Sequence, residues 1–228
     1  MPHAPSGGSE LGVVVIGIVG GTGPQGRGLA TRFAAAGLSV LIGSRDSDRA
    51  MLAAAEISAE GGGPVGGADN ASVAAKADVV IIAVPWAGHA ETIASLSVEL
   101  RGKIVVDCVN PLGFDKHGAY AISVPEGSAA EQAAALLPDS YVVGAFHHLS
   151  AVLLADVAVD RVETDVLVVG DDRASTDLVQ ALADRVPGLR GIYAGRLRTC
   201  HQVEALTANL IAVNRRYRAH AGIRVTDV

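Results

Sequence analysis

Two hydrophobic patterns alternate along the chain. Short runs of Val and Ile, typical of buried parallel strands, alternate with Ala-rich stretches whose apolar residues recur at helical spacing. We predict strands over 13–19, 38–43, 79–84, 103–107, 141–145, 165–169 and 191–194. We predict helices over 26–36, 47–60, 90–100, 128–137, 172–186 and 199–220. This alternation indicates an α/β fold with a Rossmann-type, doubly wound, mainly parallel sheet and a small helical C-terminal part.

The same pattern suggests a division of the chain. Residues 1–10 have no basic or strongly apolar segment of the kind that signal peptides carry, and we interpret them as a flexible tail. We expect a dinucleotide-binding domain over 11–146. We expect residues 147–228 to complete the substrate site and to form a dimer interface.

Charge and composition limit the kinds of partner that we expect the protein to bind. A formal net charge of -6 argues against nucleic acid, whose binding proteins usually carry a basic face. The longest apolar run, over 11–21, is too short to span a membrane. Cys108 and Cys200 form no C-x-x-C pair; a disulfide between them is open, but nothing marks the chain as secreted. We therefore expect a cytoplasmic protein.

A glycine-rich segment lies between the first predicted strand and helix. It fits the pattern G-x-G-x-x-G, which needs this strand-to-helix context to carry weight. Glycines there make a tight turn and let a pyrophosphate approach the backbone, while the helix N-terminus offers free N–H groups. An ordinary glycine-rich turn is the alternative. The predicted pyrophosphate-binding residues are Gly21, Thr22, Gly23, Pro24, Gln25 and Gly26.

The end of the second predicted strand favours NADP over NAD. NAD-binding proteins usually place an acidic residue there to bind the ribose 2′-hydroxyl. This chain has Ser44 and Arg45 instead, and Arg49 lies one helical turn further on. A hydroxyl and two guanidinium groups suit a 2′-phosphate. The alternative is that both arginines are solvated side chains near Asp46 and Asp48.

Three further segments follow predicted strands and so lie where open α/β sheets bind ligands. They contain Trp86, the pair Asn110 and Pro111, and a turn over 145–151 with His147 and His148. We expect no metal, because neighbouring residues of an extended chain point to opposite sides and no ligand stands at metal spacing. The alternative to a role in the pocket is a structural histidine whose ring is hydrogen-bonded to the backbone. No Ser-His-Asp, Cys-His or Tyr-x-x-x-Lys set is present, which fits hydride transfer between two cofactors.

These segments together resemble the NADPH-dependent reductases of the deazaflavin coenzyme F420. The resemblance rests on GGTGPQG over 20–26, GSR over 43–45, VPW over 84–86 and AFHH over 145–148. SAAE over 128–131, GDD over 170–172 and VEALT over 203–207 add to it, and it spans nearly all of 12–228. The chain departs from some members after the first histidine of the turn and over 110–113.

The resemblance implies reversible hydride transfer between NADP(H) and F420. It implies that residues 22–25 bind the pyrophosphate, that Ser44, Arg45 and Arg49 bind the 2′-phosphate, and that the chain forms a homodimer. It implies that Trp86 and Ala90 flank the NADP cofactor, and that His147 and Ala151 shape the site where the nicotinamide meets the deazaflavin. We expect His148, Asn110 and Pro111 to contact F420 as well. Water or His147 would supply the proton. The alternatives are an NADPH-dependent reductase of a small imine, ketone or metal, and a non-enzymatic NADP-sensing regulator.

Overall fold

The computed structural model describes residues 14–228, so the predicted tail over 1–10 lies outside the described residues. Its centre is an eight-stranded sheet with the order β10-β9-β8-β5-β4-β1-β2-β3. The strands of this sheet are β1 (Val15–Val19), β2 (Ser39–Ser44), β3 (Val65–Asp69), β4 (Val79–Ile82), β5 (Ile104–Asp107), β8 (Tyr141–Gly144), β9 (Thr164–Gly170) and β10 (Leu189–Gly195). A separate hairpin consists of β6 (Leu112–Asp115) and β7 (Gly118–Ala121).

Within residues 14–228, eight α-helices accompany the sheet. They are α1 (Pro24–Ala35), α2 (Ser47–Ala59), α3 (Asn70–Lys76), α4 (His89–Ser95), α5 (Ala129–Leu136), α6 (Ala151–Ala155), α7 (Arg173–Asp184) and α8 (Cys200–Tyr217). In the part of the chain that the structure covers, none of these helices is both long and apolar enough to cross a lipid bilayer.

The sheet has the doubly wound arrangement that the sequence predicts. Strands β1 to β5 and β8 pair in parallel, and the strand order reverses between β1 and β4. Strand β9 pairs with β8 in antiparallel fashion, and β10 follows β9 in parallel. The C-terminal part therefore extends the same sheet with two reversed strands. A doubly wound sheet binds ligands in the crevice where its strand order reverses.

Several elements differ from the predictions. Strand β3, the hairpin β6–β7, and the helices α3 and α6 were not predicted. The helix predicted over 90–100 begins one residue earlier and ends at Ser95. The first helix begins at Pro24 rather than at Gly26, because proline is well suited to the first helical position. Cys108 and Cys200 are both free and buried, so the disulfide left open above does not form.

The core has two layers, one on each face of the sheet. One layer joins α1 and α7 to the sheet through residues such as Phe33, Ile42 and Leu182; the other joins α4, α5 and α8 through residues such as Ile93, Ala133 and Val203. All of these side chains are buried. The sheet is thus covered on both faces, and only its edges and strand ends remain open to ligands.

A buried arginine joins α1 to the segment around α6. The guanidinium of Arg32 donates to the backbone carbonyl oxygens of Leu153, Leu154, Asp156 and Val159, at 2.5 to 2.9 Å. Helices α1 and α6 also lie very close, since a Cβ on Gly28 would be 2.6 Å from the Cβ of Leu154. We call residues 145–151 the histidine turn and residues 21–26 the glycine loop. These contacts fix the segment that follows the histidine turn against the helix that follows the glycine loop.

The C-terminal residues are bound to the start of β9. The buried carboxylate of Asp165 accepts hydrogen bonds from Arg190, Arg224 and the backbone N–H of Val225. The hydrogen bonds from Arg190 are the largest influence on the Asp165 carboxyl, and they hold its pKa far below the usual range. The C-terminal residues are therefore held against β9 and β10.

Candidate active site

The predicted site residues come together along the carboxyl ends of the parallel strands. Strands β1, β2, β4, β5 and β8 run in the same direction, so the segments that follow them lie along one edge of the sheet. The glycine loop follows β1, Arg45 follows β2, Trp86 follows β4, Asn110 follows β5 and His147 follows β8. The sequence prediction of a single site at this edge fits the topology.

Different physical reasons explain why glycine, rather than a residue with a Cβ, stands at each of three positions in the loop. A Cβ on Gly21 would be 2.6 Å from the Cβ of Ile42, and a Cβ on Gly26 would be 2.6 Å from the Cα of Gly21. Both glycines are therefore required by close packing, of the loop on β2 at Gly21 and of α1 on the loop at Gly26. A Cβ on Gly23 would meet only the carbonyl oxygen of Gly20, at an ordinary 3.5 Å. The fold does not demand glycine at position 23, so a ligand close to the backbone is the better explanation.

Gly23 is also the N-cap of α1. No side chain caps this helix, and Pro24 at its first position has no N–H. The remaining N–H groups of the first turn point out of the helix and carry the positive end of its dipole. This arrangement is suited to binding a phosphate group. Asn70 at the start of α3, which the sequence analysis missed, supports the loop by accepting a hydrogen bond from the Gly20 N–H at 3.3 Å.

The residues predicted to bind a 2′-phosphate surround the start of α2. The carboxylate of Asp46 accepts hydrogen bonds from the backbone N–H groups of Asp48 and Arg49, and so caps the helix. Ser44 is the last residue of β2, and its hydroxyl accepts from the Asp46 N–H at 3.2 Å. Arg45 and Arg49 are exposed, and no carboxylate among residues 14–228 forms an ion pair with either. Two guanidinium groups thus remain available to an anion.

The histidine turn is tied directly to the glycine loop. Phe146 has a φ of 64°, a left-handed conformation that a bulky residue adopts only when its surroundings hold it. Its ring packs edge-on against Phe33 of α1, with centroids 5.7 Å apart. Its carbonyl oxygen accepts a hydrogen bond from the side-chain amide of Gln25 at 3.1 Å. The loop after β1 and the turn after β8 therefore form one unit.

The two histidines of the turn have different surroundings. The His147 ring is buried; its Nε2 lies 3.9 Å from the Cys200 sulfur, and its Nδ1 has no partner among the described residues. Burial lowers the pKa of His147 to about 4, so the ring is uncharged at neutral pH. The Nε2 of His148 is 2.7 Å from the carbonyl oxygen of Asp165. That bond joins His148 to β9, so the His148 ring has the structural role, hydrogen-bonded to the backbone, that was the alternative above. A role of His148 in binding F420 stays a prediction.

Asn110 holds the loop after β5 against the same turn. Its amide nitrogen donates to the carbonyl oxygen of His147 at 2.8 Å, and the hydroxyl of Thr207 on α8 lies 3.3 Å from both residues' oxygens. The next residue, Pro111, lines a cavity of about 320 Å³ together with residues of the 121–127 segment and of α8. The structure thus brings Asn110, Pro111 and His147 together, and adds Thr207.

The remaining predicted residues, Trp86, Ala90 and Ala151, lie on short helices at the same edge of the sheet. Trp86 is half-buried in a short 3-10 helix over Trp86–Gly88, and Ala90 is exposed in the first turn of α4. Ala151 begins α6, which Ser150 caps by accepting from the Leu153 N–H. All three follow strand ends at the carboxyl edge of the sheet.

A buried polar cluster behind this edge was missed by the sequence analysis. His89 and Asp107 are fully buried with a ring nitrogen 2.6 Å from a carboxylate oxygen. On the other side of the cluster, both carboxylate oxygens of Glu204 accept from the N–H groups of Ala129 and Ala130 at the start of α5. Burial raises the pKa of Glu204 to about 7, against the two backbone hydrogen bonds that lower it. A charged residue at the end of an otherwise apolar strand, as Asp107 is, was the available signal.

Three members of this region could offer ligand atoms to a metal. His147, Cys200 and Glu204 are buried, and their ligand atoms lie within 4.8 Å of one another. The Glu204 oxygens already accept two backbone hydrogen bonds, so the cluster is explained without an ion. The expectation that the protein binds no metal stays a prediction.

The doubly wound sheet, the glycine loop at its switch point and the basic residues after β2 define a dinucleotide-binding protein of the Rossmann class. Residues 15–111 match the family described as NADP oxidoreductase coenzyme F420-dependent. The chain is 40% identical to the F420-dependent NADP reductase of Methanothermobacter thermautotrophicus, over 95% of this chain and 96% of that protein. It is 37% identical to the enzyme of the same name from Methanocaldococcus jannaschii, over 93% and 98% of the two chains.

A solved structure agrees with these relatives. The crystal structure of a putative F420-dependent NADP reductase from Arthrobacter sp. FB24 superposes with a TM-score of 0.75 and 28% identity, covering 93% of this chain and 99% of that chain. The chain belongs to the family of F420-dependent NADP reductases. The resemblance stated from the sequence motifs is thereby confirmed.

Proposed function

We propose that the protein catalyses reversible hydride transfer between C4 of the nicotinamide of NADP(H) and C5 of the deazaflavin of F420. The observation that carries this proposal is the bond from Gln25 of the glycine loop to Phe146 of the histidine turn. It joins the segment suited to the pyrophosphate to the segment proposed to face the second coenzyme. Two flat rings must be held face to face for hydride transfer, and the cofactors carry the chemistry themselves.

In this proposal each segment at the carboxyl edge of the sheet binds a different part of the two coenzymes. The N–H groups of the glycine loop, over Gly21–Gly26, bind the pyrophosphate, and Ser44, Arg45 and Arg49 bind the 2′-phosphate. Trp86 and Ala90 flank the nicotinamide half of the cleft. The deazaflavin side is formed by Asn110, Pro111, His147, His148 and Ala151, of which Asn110 and His147 are joined by a hydrogen bond.

Reduction of F420 by NADPH takes up one proton along with the hydride. His147 is a poor source for it, because its buried ring has a pKa of about 4 and so has no acidic proton to give at neutral pH. We therefore assign this proton to water that reaches the ring from the open side of the cleft. The protein's own residues contribute phosphate recognition, ring placement and exclusion of bulk water.

We further propose a homodimer formed through α8 and the hairpin. Large apolar side chains are exposed on both elements, among them Phe114, Tyr120, Val213 and Tyr217. The helix and strand β7 lie against each other, and we propose that these side chains contribute to one interface. Exposed apolar patches of this kind mark interfaces between proteins. We propose a cytoplasmic location, with which the two free thiols are compatible.

The decisive experiment compares electron acceptors. Purified protein with saturating NADPH is mixed separately with F420, FMN, FAD and small ketones, and loss of the deazaflavin absorbance or of NADPH absorbance is followed. We expect turnover with F420 and none, or far less, with the others. Turnover of another acceptor with F420 inert would overturn the proposal. His147→Phe is expected to reduce F420 turnover more than NADPH binding.

A further inference from the structure

The imidazole of His89 lies between Trp86, which follows β4, and Asp107 at the end of β5. It is the first residue of α4 and is fully buried. Its ring lies against the ring of Trp86, with centroids 5.3 Å apart and a tilt of 36°. Its Nε2 is 2.6 Å from Oδ2 of Asp107, and its Nδ1 is 2.9 Å from Oε1 of Gln132.

The neighbours of the ring determine its protonation. The amide nitrogen of Gln132 donates to the carboxylate of Glu126 at 3.2 Å, so the oxygen of that amide must face His89. Both ring nitrogens then face acceptors, and only the doubly protonated, positively charged ring can donate to both. Burial is the largest influence and lowers the pKa of His89, but the hydrogen bonds and charge of Asp107, with Gln132 and the charge of Glu204 on α8, outweigh it and raise the pKa.

The pair of His89 and Asp107 continues to the histidine turn. The second carboxylate oxygen of Asp107 accepts from the backbone N–H of Val109 at 3.0 Å, which orients the loop after β5. The next residue in that loop, Asn110, donates to the carbonyl oxygen of His147. An unbroken series of contacts therefore runs from the Trp86 ring, through His89 and Asp107, to the turn after β8.

We propose that His89 is a positioning residue which, as a buried imidazolium held by Asp107, fixes Trp86 and the loop after β5 relative to each other across the hydride-transfer cleft. The proposal rests on the proposed function for its catalytic consequence, though not for the charge of the ring. A cation against an indole face is attractive, and more so away from water. Holding both walls of the cleft from behind would keep two coenzyme rings at reacting distance.

The charge of the ring is tested on the wild-type protein. Trp86 is the only tryptophan, so its fluorescence reports on this neighbourhood alone. Because a charged imidazole quenches indole more than a neutral one, we expect fluorescence to rise with pH, with a midpoint above the ordinary histidine value of about 6.5. Nitrogen-detected NMR of the imidazole is expected to show both ring nitrogens of His89 protonated at neutral pH. A neutral His89 ring would overturn the proposal.

Variants assign the transition and its role. Asp107→Asn is expected to lower the fluorescence midpoint by about one pH unit or more, since an opposite charge at this distance is removed. His89→Gln is expected to abolish the transition, whereas His117→Gln, the same change at an exposed turn residue, should leave it intact. A transition that persists in His89→Gln would contradict the assignment. The NMR measurement decides the charge even if either core variant fails to fold.

The kinetic test separates positioning from binding. His89→Gln is expected to reduce kcat for F420 reduction by about tenfold or more, because small misplacements of reacting rings are costly. The Kd of NADPH should change by less than about threefold, since the phosphate-binding segments are separate. Equal loss in both, or in neither, would overturn the positioning role. If wild-type protein is inactive with F420 while the spectroscopic results hold, the proposed function fails and the charged pair stands.

Discussion

A substitution at Gly23 distinguishes the requirements of the fold from those of a bound ligand. Its missing Cβ leaves ordinary space inside the protein, so Gly23→Val should fold, with a loss of about 1 kcal/mol from the poorer helix cap. The valine side chain would occupy the place of the pyrophosphate, and we expect NADPH affinity to fall by well over about tenfold. Calorimetric titration together with thermal unfolding measures both effects.

Gly26→Val is the matched control for that substitution. Here the new Cβ would lie 2.6 Å from the Cα of Gly21, where α1 packs against the loop that precedes it. We expect a loss of stability of about 1–3 kcal/mol, the usual range for overpacking. Unchanged NADPH binding by a folded Gly23→Val protein would mean that the loop is only a turn.

Arg45 tests the choice of coenzyme. Removing a charge-assisted hydrogen bond costs about 1.5–3 kcal/mol, so Arg45→Ala should weaken NADPH by about tenfold or more. NADH lacks the 2′-phosphate and should be affected much less. Arg101→Ala makes the same change before β5, at the opposite edge of the sheet, and should alter neither affinity. Equal weakening of NADPH and NADH would remove Arg45 from the 2′-phosphate site.

Local patterns predicted the residues that follow strand ends, but not the contacts between distant segments. The glycine loop, Ser44 and Arg45 are recognisable because their neighbours in sequence are also their neighbours in space. The pairing of His89 with Asp107, and the bond from Asn70 to the loop, join residues 18 and 50 positions apart. Such contacts depend on how the strands are ordered, which periodicity does not specify.

At the scale of elements, the buried strands were predicted and the irregular ones were not. Strand β4 is a continuous Val and Ile run buried on both faces, so its sequence shows its structure. Strand β3 reads Val-Gly-Gly-Ala-Asp and lies at the edge of the sheet, where two glycines remove the apolar pattern. The turn of the β6–β7 hairpin depends on the Asp115 side chain, which accepts from the N–H groups of His117 and Gly118.

The contact between α8 and α5 predicts a pH dependence of stability. Burial raises the pKa of Glu204 to about 7 from a usual value of 4.5, so the folded protein binds its proton more tightly than the unfolded chain does. The resulting stabilisation is complete below pH 4.5 and is lost as the pH rises through about 7. Glu204→Gln stays neutral throughout, and its Tm should fall less between about pH 5 and pH 8 than that of wild type.

Glu131→Gln is the control for this element, because it makes the same change on α5 at a residue that is not buried. Its Tm should follow the wild-type pH dependence. A Glu204→Gln protein whose Tm falls with pH as steeply as that of wild type would show that the carboxylate is already charged in this range. In that case its two backbone hydrogen bonds to α5 would outweigh the cost of burial.

At the scale of the whole molecule, the chain order of strands predicted the class of fold but not its last step. Helices connect the parallel strands β1 to β5 in succession, as the alternation of strands and helices predicts, but that alternation does not specify that β4 lies beside β1 rather than beside β3. The reversal at β9 depends on the segment after β8, which carries the short helix α6 and the carbonyl groups bound by Arg32. Alternating strands and helices alone would have favoured continued parallel pairing.

The assembly of two such molecules is the last prediction. Val213 lies on α8, the helix that packs against strand β7 of the hairpin, and is 37% exposed in the single chain. If this face is covered by a second copy, Val213→Glu would bury a carboxylate without a partner, at a cost of several kcal/mol. We expect the wild-type protein to sediment at twice the chain mass and Val213→Glu to sediment as a monomer. Val98→Glu, at a residue that is 74% exposed in the turn after α4, should leave the dimer intact. A wild-type protein that is monomeric at micromolar concentration, or a dimer indifferent to Val213→Glu, would place the interface elsewhere.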